Sequence, residues 1–274
     1  MTVTISVVTP TFNAQDLIAE TVSSVVEQSA FTSGRARLQY ILQDGGSRDG
    51  TVKLALEASR GQIDAQSSTD RGMYDALAKG MKEVEGDIVC YINAGDFIMP
   101  GAFDVILDVF GNPDVHWVSG MTAVCNEARQ ITDVRLPFRF RQRLVACGAY
   151  GRFMPWMQQE TMFWRRELLD LVDYDYFAGL KLAGDYYLWT RFATKYEPLV
   201  VQAVLGVFKY HRGQLSENIQ AYRNEVLSFT RRPGIIDFVV GAADRLAWLL
   251  EPKMKKYING SGLLCFDHAS QKWL

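Results

Sequence analysis

The chain has 274 residues and a formal charge of −2, from 29 basic and 31 acidic residues. Hydrophobic residues make up 48% and charged residues 22%, globular values that exclude a disordered chain, a collagen-like chain and a disulfide-stapled miniprotein. A whole-chain nucleic-acid binder would be basic, so nucleic acid is not an expected partner.

The elements alternate from the start. Ile5 to Pro10 is a β-branched run stopped by proline and predicts a strand. Residues 14–28 carry Leu17, Ile18, Thr21, Val22, Val25 and Val26 at helical spacing. Leu38 to Gln43 predicts a second strand, ending at Asp44-Gly45-Gly46-Ser47, and a helix runs from Asp49-Gly50-Thr51 to about residue 59. Residues 62–67 are a weak third strand, and Arg71 to Glu85 is a helix closed by Gly86. Asp87 to Ile92 is a fourth strand ending at Asn93-Ala94-Gly95-Asp96, followed by a helix from Gly101 to Phe110. This alternation predicts a mostly parallel α/β sheet with helices on both faces.

Such sheets bind ligands at the carboxyl ends of their strands. The polar loops Thr9–Asn13, Asp44–Asp49, Asp70–Asp75 and Asn93–Asp96 fall at those ends. Beyond residue 111 the pattern is mixed. Strands are expected at 115–118, 121–125 and 205–210, an aromatic helix at 180–196 and a polar helix at 214–230. The cysteines, Cys90, Cys125, Cys147 and Cys265, have no metal spacing and read as reduced thiols. With no signal-peptide n-region and no ~18-residue apolar window, the expectation is a cytoplasmic protein.

A carboxylate such as Asp44, followed by two glycines, can accept a nucleobase N–H while the glycines allow close approach. It can equally close a capped βα turn. Asp96 can hold a hard divalent cation, Mn²⁺ or Mg²⁺, with phosphate oxygens completing the shell, or cap the helix after Met99-Pro100.

Val7-Val8-Thr9-Pro10-Thr11-Phe12-Asn13, Asp44-Gly45-Gly46-Ser47-Arg48-Asp49-Gly50-Thr51, Asp70-Arg71-Gly72-Met73-Tyr74-Asp75-Ala76 and Gly86 to Asp96 together resemble the family 2 glycosyltransferases of the GT-A fold, of bacterial polysaccharide-biosynthesis type. Gln158 to Arg166 looks like that family's acceptor-side strand, and Leu182 to Trp189 like its catalytic-base helix, so the resemblance reaches about residue 216.

The resemblance implies roles. Asp44 would bind the nucleobase, uracil as the resemblance implies. Thr9, Pro10, Asn13 and Asn93 would line the nucleotide, and Asp70 and Arg71 the ribose and diphosphate. Asp96 would hold the metal. Asp185 would be the general base, with Glu160 as the second candidate. Asp185 also reads as a helix N-cap. His211 can touch the diphosphate or the metal, or be structural. The chain departs from the family where Asn93 and Gly95 precede Asp96 in place of Asp-x-Asp, and where Gly184 precedes Asp185 in place of glutamate.

The implied reaction is inverting sugar transfer from a nucleotide sugar to a glycan or lipid-linked hydroxyl. Competing readings are a nucleotidyltransferase and a nucleotide-sugar-binding protein without catalysis. Thr9 to Asn13 lacks the Gly-rich basic signature that a nucleotidyltransferase wants, and the retained Asp185 and Glu160 argue against the non-catalytic reading.

Two basic features remain. Arg135 to Arg143 interleaves arginine with phenylalanine and can face lipid headgroups, an acidic acceptor, or solvent along a helix. Residues 231–274 hold seven basic and four acidic residues and begin with the apolar stretch 235–250, interrupted by Asp237, Asp244 and Arg245. This predicts a catalytic domain over 1–230 and a C-terminal helical extension over 231–274. The extension would lie on a membrane surface, on a second copy, or across the domain.

Overall fold

The structure, a computed structural model, describes residues 2–210, 214 and 217–274. The first half follows the expected alternation: β1 (Val3–Thr11), α1 (Ile18–Val26), a short α2 (Ser29–Thr32), β2 (Ala36–Asp44), α3 (Thr51–Ser59), β3 (Asp64–Ser67), α4 (Met73–Lys82), β4 (Ile88–Tyr91), β5 (Phe97–Ile98) and α5 (Ala102–Phe110). The second half runs β6 (Trp117–Ser119), β7 (Thr122–Cys125), β8 (Ile131–Arg135), α6 (Gln142–Ala146), β9 (Met162–Arg165), α7 (Tyr174–Gly179), α8 (Gly184–Phe192), β10 (Leu199–Val201), β11 (Gly206–Lys209) and α9 (Ile219–Phe229). It closes with α10 (Ile235–Ala247), α11 (Pro252–Asn259), β12 (Leu263–Leu264), β13 (Phe266–Asp267) and β14 (Lys272–Trp273).

The main sheet has eight strands in the order β12-β10-β6-β9-β4-β1-β2-β3. Only β9 runs antiparallel to its neighbours β4 and β6. A second sheet, β5-β11-β7-β8, lies at the carboxyl edge, where β11 lies between β5 and β7.

Strand alternation divides the core. Val8, Ile41, Val89 and Tyr91 pack with α4 and α8 on one side, and Ile5, Val7, Leu42 and Cys90 with α1 and α5 on the other. A buried aromatic block fixes β9 to α8: the Trp164 and Trp189 rings lie 5.7 Å apart and Trp117 stacks on Trp189 at 5.9 Å. The four cysteines are free.

The segment 135–143 corrects the expectation of a solvated helix face or a lipid contact. Leu136, Phe138 and Phe140 are buried, while the alternate arginines turn to carboxylates. Arg139 pairs with Glu197, Arg141 with Asp244 at 2.6 Å and Arg143 with Asp237 at 2.7 Å. A period of two places apolar and charged groups on opposite sides of an extended chain, so this is a seam rather than an outer face.

Its partner is the C-terminal segment. Asp237 and Asp244 of α10 are 1% and 4% exposed. In α11, Lys255 donates to the Leu136 carbonyl at 2.7 Å and Asn259 to the Phe138 carbonyl at 2.8 Å. Beyond it, β12 joins the main sheet beside β10. Residues 231–274 are therefore sewn into the domain rather than hung from it. The amphipathicity of α10 is turned inside out: its carboxylates face the domain, while Ile235, Ile236, Val239, Leu246 and, just after the helix, Leu249 are exposed. Among the described residues no helix is long and apolar enough to cross a membrane.

Candidate active site

The loops at the carboxyl ends of β1, β2, β3 and β4 converge, as the parallel sheet requires. The β1 and β2 loops are zipped together. The Asn13 N–H donates to the Ser47 hydroxyl at 2.7 Å, the Asn13 carboxamide accepts from Arg48 at 3.1 Å, and the Ala14 N–H donates to Thr51 at 2.7 Å. Asn13 adopts a left-handed φ of 47°, which asparagine tolerates better than most residues.

Asp44 is fully buried and closes its own turn. It accepts from the Gly46 and Ser47 N–H groups at 3.1 and 2.9 Å, and from the Ser47 and Ser67 hydroxyls at 2.5 Å each. Asp70 reaches over it. A Cβ on Gly45 would lie 2.6 Å from Asp70 Oδ2, so the missing side chain makes room for that carboxylate.

The Thr9 hydroxyl turns inward and pairs with the buried Tyr40 phenol at 3.0 Å. The Arg71 guanidinium is held by Asp75 at 2.7 Å. Pro10 lies within β1 on the face opposite Thr9, one residue before Thr11. Thr11, which the sequence reading did not single out, has a buried hydroxyl with no partner, and Phe12 beside it is exposed. His211 lies outside the described residues.

The end of β4 holds the buried acids. Asp96 is 3% exposed and Glu160 5%. Asp96 Oδ1 accepts the Lys209 N–H at 2.9 Å. Burial and the neighbouring Glu160 carboxyl push the Asp96 carboxyl well above the usual range, and burial raises Glu160 as well. Glu160 lies not on a strand but in a tight turn, Gln159–Thr161, that leads into β9. Asn93 donates to Gln159 at 3.3 Å, and Gln159 in turn donates to the Tyr91 carbonyl at 2.5 Å.

Asn93 Oδ1 and Glu160 Oε2 are buried without hydrogen-bond partners. Oxygen atoms left unmatched in this way cost free energy unless a ligand meets them. Among the described residues no three histidine, cysteine or acidic side chains gather as a metal site. The set is two carboxylates and one amide.

Asp185 begins α8. Tyr222 of α9 donates its phenol to both carboxylate oxygens at 3.2 Å. Desolvation raises the Asp185 pKa to about 7 against the lowering effect of the Tyr186 N–H and the Tyr222 phenol. Glu225, one turn along α9, accepts the N–H groups of Lys181, Leu182 and Ala183 at 2.8, 2.7 and 2.6 Å. It thereby fixes the loop that delivers Asp185. Neither Tyr222 nor Glu225 is marked by any local motif; both lie on a helix that reads from sequence as merely polar.

Gly184 has a clear structural reason. A Cβ there would lie 2.3 Å from the Tyr74 ring, and Tyr74 also donates to the Leu182 carbonyl at 2.9 Å. Tyr74 fills the space a glutamate would take. Gly184→Ala is expected to cost about 1–3 kcal/mol through overpacking, read as a lower urea midpoint. The double variant with Tyr74→Leu should recover part of that loss.

The arrangement is a set of polar loops at the strand ends, buried acids after one of those strands and a carboxyl raised to about 7 at a helix start. The family model described as "Glycosyl transferase family 2" matches residues 6–170, and the chain belongs to that family. It is a glycosyltransferase, and its activity is sugar transfer. An uncharacterized glycosyltransferase of Mycobacterium tuberculosis is 29% identical over 209 residues, 75% of this chain and 74% of that protein. The fold matches S. aureus TarS 1-349 in complex with UDP-GlcNAc, with a TM-score of 0.60 and 16% identity over 93% of this chain and 70% of that one. It also matches the mannosyltransferase PcManGT from Pyrobaculum calidifontis in complex with GDP-Man and Mn²⁺, with a TM-score of 0.60 and 17% identity over 94% and 72%.

Proposed function

We propose that this glycosyltransferase moves a sugar from a UDP-sugar to a hydroxyl of a glycan or lipid-linked acceptor in cell-surface polysaccharide synthesis, with inversion at the anomeric carbon. The observation that carries the reading is Asp185: a carboxyl at the cleft with its pKa raised to about 7 and both oxygens held by Tyr222. A base poised near neutrality suits removal of a hydroxyl proton during attack. Direct displacement by that hydroxyl inverts the centre and needs no enzyme nucleophile.

The donor would lie across the strand ends, between the Asp44–Asp70 pair and Asn93. The exposed Phe12 ring offers a stacking face at the mouth, and the Thr11 hydroxyl a free polar group. The unmatched oxygens of Asn93 and Glu160, with the Asp96 carboxylate, fit a hard cation such as Mn²⁺ or Mg²⁺. Such an ion, once bound, neutralises charge on the departing diphosphate. Glu160 is then better placed to help hold the cation than to act as base. The apolar outer face of α10 supports a working position at the inner face of a membrane.

The test is release of nucleoside diphosphate from a panel of nucleotide sugars, with and without Mn²⁺. UDP release from one UDP-sugar, with the anomeric configuration inverted in the product, is the expected result. Release of pyrophosphate, or turnover only with a guanosine or thymidine donor, overturns it.

A further inference from the structure

A cavity of about 230 Å³ opens beside Trp156, and none of the donor-side residues line it. Its walls carry Arg135, Arg152, Arg223 and Arg245, with Phe153 and Trp156. The Trp156 ring meets the Tyr222 ring edge-on at 5.2 Å, and the Tyr222 phenol holds Asp185. Two side chains in sequence, Trp156 in the wall and Tyr222 behind it, therefore connect the cavity to the base.

The arginines are aimed but not neutralised. Arg223 donates to the Gly151 carbonyl at 2.8 Å, Arg245 to the Phe153 carbonyl at 3.1 Å and Arg152 to the Cys147 carbonyl at 3.4 Å. Each bond fixes a guanidinium against the cavity loop and leaves further N–H groups unused. Among the described residues, Arg135 alone of the four has an ion-pair partner, Asp133 at 2.9 Å. The seam arginines at 139, 141 and 143, by contrast, all have carboxylates.

Like charges held together repel, and an anion relieves the repulsion. A single carboxylate offers two oxygens and one charge. A phosphoryl group offers more of both and matches guanidinium forks in bidentate fashion. We infer that this cavity is the acceptor's phosphoryl subsite: the glycosyl acceptor carries a phosphate or diphosphate that the arginines hold while its hydroxyl reaches Asp185. The inference rests on the reading of Asp185 as base. The phosphate can belong to a soluble sugar or polyol phosphate or to a glycolipid. Phe153 packs on Phe238 of α10 at 4.8 Å, so the cavity opens beside the exposed apolar residues of that helix.

The experiment is titration of the full chain with inorganic pyrophosphate, with UDP present at saturation. It is followed by the fluorescence of Trp156, the exposed tryptophan. A saturable change is expected, absent in Trp156→Phe. The double variant Arg223→Gln/Arg245→Gln should bind at least about tenfold more weakly, with UDP binding and circular dichroism unchanged. If the double variant misfolds, Arg245→Glu alone, on the exposed side of α10, should weaken binding in the same direction.

No saturable change in the wild type, or wild-type affinity in folded variants, overturns the inference. Glycerol phosphate in solution and a prenyl phosphate in phosphatidylcholine vesicles then separate the sources. Arginine-dependent binding of the soluble ester assigns a soluble acceptor; tighter arginine-dependent binding in vesicles assigns a lipid-linked one. Pyrophosphate binding that persists alongside normal turnover in Asp185→Asn would sink the base assignment and leave the anion site standing.

Discussion

Asp185→Asn retains nucleotide binding and loses about 10²–10⁴-fold in transfer rate, the range expected when a positioned general base is removed. Asparagine preserves the shape and still accepts from Tyr222, so the fold is undisturbed. What disappears is the ability to take a proton. The pH profile of the wild type checks the same assignment. Because desolvation raises the Asp185 carboxyl to about 7, the base is mostly protonated at pH 6 and mostly free at pH 8. The rate should climb across that interval and then level. Tyr222→Phe deletes a hydrogen bond to the ionised form, so the limb moves alkaline by about one unit. Initial rates measured from pH 5.5 to 9 suffice. A wild-type limb that stays in place when Tyr222 is changed would assign it to another group.

Asp237→Ala is the largest expected stability loss, about 2–4 kcal/mol, measured by urea unfolding. Asp237 accepts Arg231 at 2.9 Å, Arg143 at 2.7 Å and the Gly234 N–H at 2.8 Å, and is 1% exposed. Its removal strands two guanidiniums and uncaps α10. Arg231 first, then Arg143, hold the Asp237 carboxyl well below the ordinary range. A depressed folded-state pKa gives stability that is present above the unfolded carboxylate value and lost as pH falls toward the folded one. The wild type should therefore shed this contribution only in strong acid. The alanine variant, lacking it throughout, should show a shallower acid decline.

The first half of the fold was legible because its signals are local. Each βα unit declares itself by a β-branched run, a polar loop and a 3.6-residue period, and parallel pairing then fixes where the loops meet. The second half depends on partners far away in sequence. The alternation of Leu136, Phe138 and Phe140 with arginines is visible as a period of two. What hides it is that the matching carboxylates, Asp237 and Asp244, lie about 100 residues downstream in the stretch read as a separate extension.

The candidate site divides in the same way. Asp44, Asp70, Asn93 and Asp96 stand out in sequence as polar residues at strand ends, and Asp185 through the resemblance of Leu182 to Trp189 to the family's catalytic-base helix. Tyr222 and Glu225 do not, because a helical tyrosine and glutamate carry no mark until the tertiary fold turns them toward Asp185. On the face of β1 that Thr9 and Thr11 share, the Thr9 hydroxyl is taken by the Tyr40 phenol. The neighbour with the unmatched oxygen is Thr11.

In α10, fastening and facing are carried by different residues. Asp237 and Asp244 hold the helix down, whereas Ile235, Ile236, Val239 and Leu246 are mostly exposed. Exposed positions away from such contacts usually change stability by no more than about 0.5 kcal/mol. The outward side of this helix can thus be rewritten without loosening the fold beneath it, so stability leaves it open to serve a surface contact.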